Sequence, residues 1–285
     1  MSINSMRLIQ RICAVALSSS LLVGALLVSG CASFNATSAS VPSLTPQIKN
    51  SLAPTGVLRV GVYLGSPTSL VRVLPSGESF GIALELGKAL GQQLGVPVQV
   101  IEFPRVAEVI AAIKDEKVDV TFTNATAARA KEIDFTAPLV QLELGVLVPI
   151  HSSIRNFGDL DKQGVRLGVS QGSSSQSVLG QRLQQTTIVP VPSLEVAASK
   201  LQSHELDAFA TNKGILFELN EKLSGFQVLQ DRWGLENLAI AIPKGRQDAL
   251  PFITVFAQKV RENGQLDLMI KRAGLRGMTS QLITE

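Results

Sequence analysis

From Gly56 onward the sequence alternates short β-branched runs with amphipathic stretches, and it does so twice in the same order. βαβ units produce that rhythm, which restricts the chain to an α/β fold. In the first series Leu58–Val62 reads as a strand, and Ile82, Leu86, Leu90 and Leu94 mark one face of a helix that Gly95 and Pro97 end. A strand at 98–101, a helix at 106–114 and a strand at 118–122 follow. The second series runs strand 165–169, Ser-rich turn, helix 175–184, strand 187–191 and helix 194–203. The two series match in detail where VIAAIKDEKVDVTFTN (109–124) meets AASKLQSHELDAFATN (197–212). Each has a helix, a polar turn, an apolar residue before Asp119 or Asp207, and a closing Thr-Asn pair at 123–124 or 211–212. Two lobes of like plan are implied. Open α/β sheets bind ligands beyond the carboxyl ends of their strands, so the Thr-Asn pairs are expected to face each other across a crevice.

Composition narrows the chemistry such a crevice can hold. Lys and Arg number 26 against 23 Asp and Glu in 285 residues, and two of the bases, Arg7 and Arg11, sit in a segment expected to be removed. A near-neutral body is no electrostatic nucleic-acid binder. The only cysteines are Cys13 and Cys31 and the only histidines His151 and His204, so no Cys/His zinc cluster, disulfide framework or Cys–His catalytic pair can be built in the body. Neither a metal nor a cofactor is expected.

Arg7 and Arg11 precede an uncharged apolar stretch, Ile12–Val28, which reads as a secretory signal. A short membrane anchor is the alternative, at the lower limit of spanning length. The residues that follow, Leu27-Val28-Ser29-Gly30-Cys31, resemble the lipobox of bacterial lipoproteins. The resemblance implies that residues 1–30 are a signal peptide and that the Cys31 thiol carries diacylglycerol. Residues 31–54 are rich in Ser, Thr, Ala and Pro without apolar periodicity and read as a flexible tether, so the folded body is expected from Thr55. That body is expected to work on the outer, periplasmic side of a bacterial membrane.

The run VDVTFTNATAARAKEIDFTAPL (118–139) is similar to the diagnostic stretch of the family 3 bacterial extracellular solute-binding proteins, the polar amino-acid-binding class of ABC importers. Asp119, the T-x-x-R of Thr126–Arg129, and Asp134-Phe135-Thr136 with Pro138 fill the family's places. The resemblance continues through Gly81 and Glu85, LGVSQGSSS (167–175), LAIAIPKG (238–245) and ENGQLDLMIKRAGL (262–275). It implies a two-lobed periplasmic-binding-protein-like fold of type II. Lobe one would span 55–141 plus 239–285, lobe two 142–238, with two hinge crossings between them. The implied function is capture of a small carboxylate-bearing solute, an amino acid or related organic acid, by a monomer that delivers it to an ABC permease. Arg129 would grip the carboxylate bidentately, a task suited to its planar fork. Ser173 and Ser174 would approach the same carboxylate from a helix N-terminus in lobe two. Asn124, Thr126 and Tyr63 complete the expected lining.

Two departures bear on the ligand. Where the family's amino-acid binders place an acid for the ligand's ammonium this chain has Asn212, and a second acid is missing near Tyr63. A solute without an α-amine is therefore an expected competitor. An enzyme of the same fold, dehydrating a cyclic carboxylate, would need a general acid–base group in the cleft, and Glu85, Asp119 and Asp134 read instead as structural groups. A ligand-sensing lipoprotein without transport is the other alternative.

Overall fold

The structure, a computed structural model, describes residues 43–72 and 76–279, so the apolar run at 12–28 and Cys31 fall outside it. The chain enters through helix α1 (Pro46–Leu52) and strand β1 (Leu58–Tyr63), followed by the short strands β2 (Val71–Arg72) and β3 (Ser79–Phe80). Helix α2 (Ile82–Leu94), strand β4 (Val98–Phe103), helix α3 (Val106–Lys114), strand β5 (Thr121–Asn124), helix α4 (Ala127–Ala130) and strand β6 (Ile133–Phe135) come next. Strand β7 (Val140–Pro149) leads to β8 (Arg166–Ser170), α5 (Ser174–Arg182), β9 (Thr187–Val191), α6 (Leu194–Gln202), β10 (Ala208–Asn212), α7 (Lys213–Lys222) and β11 (Phe226–Val228). Strand β12 (Gly234–Pro243) and helices α8 (Leu250–Glu262) and α9 (Gln265–Arg272) complete the described chain.

Strand pairing explains how two lobes share one chain. β1 is parallel to β4 and touches the strand of β5 through a Val60–Val120 bridge. β8 is parallel to both β9 and β10. Between these two sets run the ten-residue strands β7 and β12. They pair with each other over Val140–Leu144 and Gly234–Leu238, then diverge: β12 continues beside β5 and β6, β7 beside β10 and β11. Residues 277–279 add a short extended segment at this crossing. Met278 bridges Leu142, the Glu143 N–H donates to the Gly277 carbonyl at 2.8 Å, and the Thr279 N–H to Gln141 at 3.1 Å.

One core gathers Leu58, Val60 and Val62 of β1, Ile82, Leu86 and Leu90 of α2, Phe122 and Ile240, and is closed by Phe252 and Phe256 of α8. The second sheet is covered on both faces, as near-continuous apolar strands require. Val146, Val148, Leu167, Val169, Ala208 and Ala210 face one layer, while Leu147, Phe209 and Leu206 face the α6–α7 layer. Gly81 starts α2 at φ 151°, where a Cβ would lie 2.1 Å from the Ser69 carbonyl oxygen, so this entry turn admits only glycine.

The internal echo has a physical cause. Asp119 takes the Arg59 N–H and Nε at 2.9 Å each and Nη2 at 2.7 Å; Asp207 takes the Arg166 N–H at 2.8 Å, Nε at 3.0 Å and Nη2 at 2.8 Å. In each lobe an aspartate just ahead of one strand clamps the arginine that starts its neighbour. Asp119 also receives Arg246 Nη1 at 3.0 Å and is fully buried, whereas the Asp207 side chain is 36 % exposed.

The expected tether is corrected at its end. Residues 46–52 form a helix, with Pro46 at its first position, the Thr45 hydroxyl accepting from the Ile48 N–H at 3.2 Å, and Leu52 and Ala53 buried in the first core. Ser51 and Gln47 donate to Asp248 and Lys49 to the Gly95 carbonyl, so the segment before Thr55 is folded body. One heptapeptide offers too few apolar positions for periodicity to show.

Candidate functional site

The carboxyl ends of the strands converge on a cavity of about 600 Å³, its mouth included. Tyr63, Thr68, Arg105, Thr123, Asn124 and Arg129 line it from the β1–β5 side. Ser170, Ser173, Ser174, Ser193, Thr211 and Asn212 line it from the β8–β10 side, and Glu236 of β12 lies between. The two Thr-Asn pairs thus meet in one space.

Arg129 stands on the single turn α4. Its Nη1 donates to the Thr123 hydroxyl at 3.0 Å and the Asn124 carbonyl at 3.1 Å, which fixes the guanidinium at the cavity wall. Burial pulls its pKa down, against the pull of Glu236 and then Tyr63; an arginine nonetheless stays protonated. Thr126 is the expected lining residue that the structure places elsewhere. It is absent from the cavity wall because its hydroxyl caps α4, accepting from the Arg129 N–H at 3.2 Å. Its service to the site is to position Arg129.

Ser173 caps α5, accepting from the Gln176 N–H at 3.1 Å, and Ser174 opens that helix. Asn124 reaches across the cleft, its Nδ2 donating to the Ser174 hydroxyl at 3.3 Å while its Oδ1 holds the Asn237 N–H at 3.0 Å. Tyr63 ends β1 with its hydroxyl 3.3 Å from Ser66, and burial pushes its pKa up.

Asn212 behaves differently from the sequence-based expectation. Its Oδ1 serves as the N-cap of α7, accepting from the Ile215 N–H at 3.0 Å, which holds the side chain to the helix start. Its Nδ2 donates at 3.1 Å to the buried carboxylate of Glu236, which Ser174 also bonds. The expectation that the cleft holds no acidic counter-charge is therefore wrong. Burial pushes the Glu236 carboxyl up, offset in part by the charge of Arg129 and by the Asn212 and Ser174 hydrogen bonds. The sequence hid this residue because Glu236 interrupts a strand whose other inward residues are apolar, outside every motif. The acids read as structural are ion-paired: Asp119 with Arg59 and Arg246, Asp134 with Lys244 at 2.6 Å, Glu85 with Arg272 at 3.1 Å.

Residues 58–274 match the family model of the bacterial extracellular solute-binding proteins, family 3. The chain belongs to this family. As a family 3 solute-binding protein it has a relative in the ABC transporter glutamine-binding protein of Bacillus subtilis (strain 168), 23% identical over 201 residues, covering 69% of this chain and 73% of the relative. Among solved structures, an ancestral amino acid-binding protein that is a precursor of cyclohexadienyl dehydratase superposes with TM-score 0.69 at 24% identity over 79% of this chain and 98% of that one. A mutant of the arginine-binding protein of T. maritima gives 0.72 at 20% identity over 80% and 99%. An amino acid ABC transporter substrate-binding protein from Streptococcus pneumoniae, bound to L-arginine, gives 0.72 at 21% identity over 79% and 97%. The architecture is the two-lobed type II fold, and the solute-binding role follows from family membership. The family is extracytoplasmic, and among the described residues no helix is long and apolar enough to cross a membrane.

Proposed function

We propose that this family 3 protein is the substrate-binding lipoprotein of an ABC amino-acid importer, closing as a monomer on a small carboxylate-bearing solute and passing it to a membrane permease. One observation carries the reading: Arg129 and Glu236, opposite in charge, share one buried cavity. A zwitterion fits such a pair. Arg129 holds the α-carboxylate with Ser173, Ser174 and Asn124 around it, Tyr63 closes the wall, and Glu236 receives the ammonium in place of an acid at Asn212. Lobe one then comprises 45–141 and 239–279 and lobe two 142–238, with β7 and β12 as the hinge crossings. Cys31 carries the lipid, holding the body outside the membrane; Cys31→Ala should abolish labelling by a fatty-acid probe.

Calorimetry on the full chain in detergent tests the site, using L-amino acids and their 2-oxo acid counterparts. The amino acid should bind tighter than its oxo analogue, and Arg129→Ala should weaken both by about 2 to 5 kcal/mol. Unchanged binding in Arg129→Ala would remove Arg129 from the site.

A second reading gains from Glu236 as well. A buried carboxyl with a raised pKa is the general acid that a dehydratase on this fold needs. Turnover of a cyclic carboxylate, lost in Glu236→Gln, would favour it; saturable binding without turnover supports transport.

A further inference from the structure

Beyond Arg129 and Glu236 the cavity wall holds one further formal charge, Arg105, which the sequence reading did not single out. It caps the start of α3 from an extended backbone, and its Nη2 pairs with Glu108 at 2.9 Å. Its Nη1 reaches the Pro192 carbonyl on the opposite side of the cleft at 3.4 Å, a long and weak bond. Its Nε is buried and has no hydrogen-bond partner. The Arg105 side chain is 25 % exposed, and its guanidinium is only partly satisfied by protein acceptors.

Resting on the zwitterion reading above, we propose that Arg105 sets side-chain specificity, selecting an amino acid whose side chain ends in a carbonyl or carboxylate oxygen that accepts from its guanidinium. Arg129 and Glu236 between them satisfy the two charges common to every α-amino acid, leaving Arg105 to meet what differs. A cationic side chain would face a guanidinium, with no second acid among the described residues of the cavity wall to receive it. An aliphatic one would offer the guanidinium no acceptor. Amide and carboxylate side chains supply the missing acceptor, and the pairing of Arg105 with Glu108 lets a neutral amide serve as well as an anion.

Calorimetry on the full chain in detergent, with L-glutamine, L-glutamate, L-leucine and L-arginine on wild type and Arg105→Met, tests this. Methionine keeps the apolar stem of the side chain. Wild type should bind glutamine or glutamate at least tenfold more tightly than leucine or arginine, and Arg105→Met should erase that margin by weakening the acceptor-bearing ligands roughly 10- to 100-fold while leaving leucine unchanged. Leucine or arginine binding as tightly as glutamine and glutamate overturns the proposal while leaving the zwitterion reading in place. A uniform loss across all four ligands in Arg105→Met also overturns it, because Arg105 would then act only as a latch to Pro192. If none of the four binds, nor any other amino acid, the zwitterion reading falls and this proposal with it.

Discussion

Glu236 is held ionisable in a place that disfavours its charge. Burial raises its pKa, so between the ordinary carboxyl value of about 4.3 and the raised one the folded state binds more protons than the unfolded state, and stability falls as pH rises through that window. An ammonium in the cavity reverses the penalty. Glu236→Gln should therefore leave the ligand-free chain at least as stable at neutral pH while weakening amino-acid binding, which paired thermal melts and calorimetry will show. A loss of melting temperature with affinity unchanged would make Glu236 a structural group. Asn212→Asp would restore the acid that the family's amino-acid binders carry, yet it would set a second carboxylate 3.1 Å from Glu236 and should weaken binding, with Glu236→Gln restoring part of the loss in a double-mutant cycle. At this scale legibility followed motif membership. Arg129, Asn124, Ser173 and Ser174 stand in the family pattern and reach the cavity, whereas Glu236 and Arg105 lie outside it and are brought to the cavity wall by tertiary packing.

Among the elements, the duplicated helix-turn-strand was legible because a repeated Asp closes the same Arg clamp in each lobe. Helix α1 was not, because Leu52 and Ala53 enter the core with only Ile48 packed beside them, and the flanking Ser, Thr and Pro resemble a linker. The two clamps should nevertheless respond differently to loss of charge. Asp119→Asn leaves Arg246, whose side chain is 8 % exposed, with only the exposed Glu116 as its acidic partner and should cost about 3 kcal/mol. Asp207→Asn, solvent-screened, should cost clearly less. The hydrogen bonds from Arg166 hold the Asp207 carboxyl below its usual value. Its contribution is thus present above the unfolded carboxyl pKa of about 3.9 and vanishes as pH falls through the lower folded value. Urea unfolding of wild type and both variants at neutral pH, repeated at acid pH for Asp207→Asn, checks the ranking and the sign. Equal losses for the two at neutral pH would mean that burial of the first clamp adds nothing.

At the scale of the whole molecule, binding and shape are one equilibrium, because a ligand held by residues of both lobes draws them together only by its greater affinity for the closed arrangement. The lobes touch through Arg276 and Glu221 at 2.7 Å, through Leu194 against Gly65, and through a set of contacts around the cavity. Asn124 meets Ser174, Arg105 meets Pro192, and Gly172 lies so close to Ala107 that a Cβ on the glycine would stand 2.6 Å from that of the alanine. This last contact joins α3 of one lobe to the β8–α5 turn of the other and belongs to neither core. Enlarging Ala107 should therefore act as a wedge. In Ala107→Phe the phenyl ring cannot fit against the Gly172 backbone when the cleft is shut, yet in an open molecule it can turn toward solvent, so folding stability should move by less than about 0.5 kcal/mol. Affinity for the solute should drop at least tenfold, and the radius of gyration by small-angle scattering should stay large at ligand concentrations that compact the wild type. Wild-type affinity and compaction in Ala107→Phe would show that closure does not pass through this contact. A falling melting temperature would show that the contact is part of the resting fold and that the two lobes do not separate there.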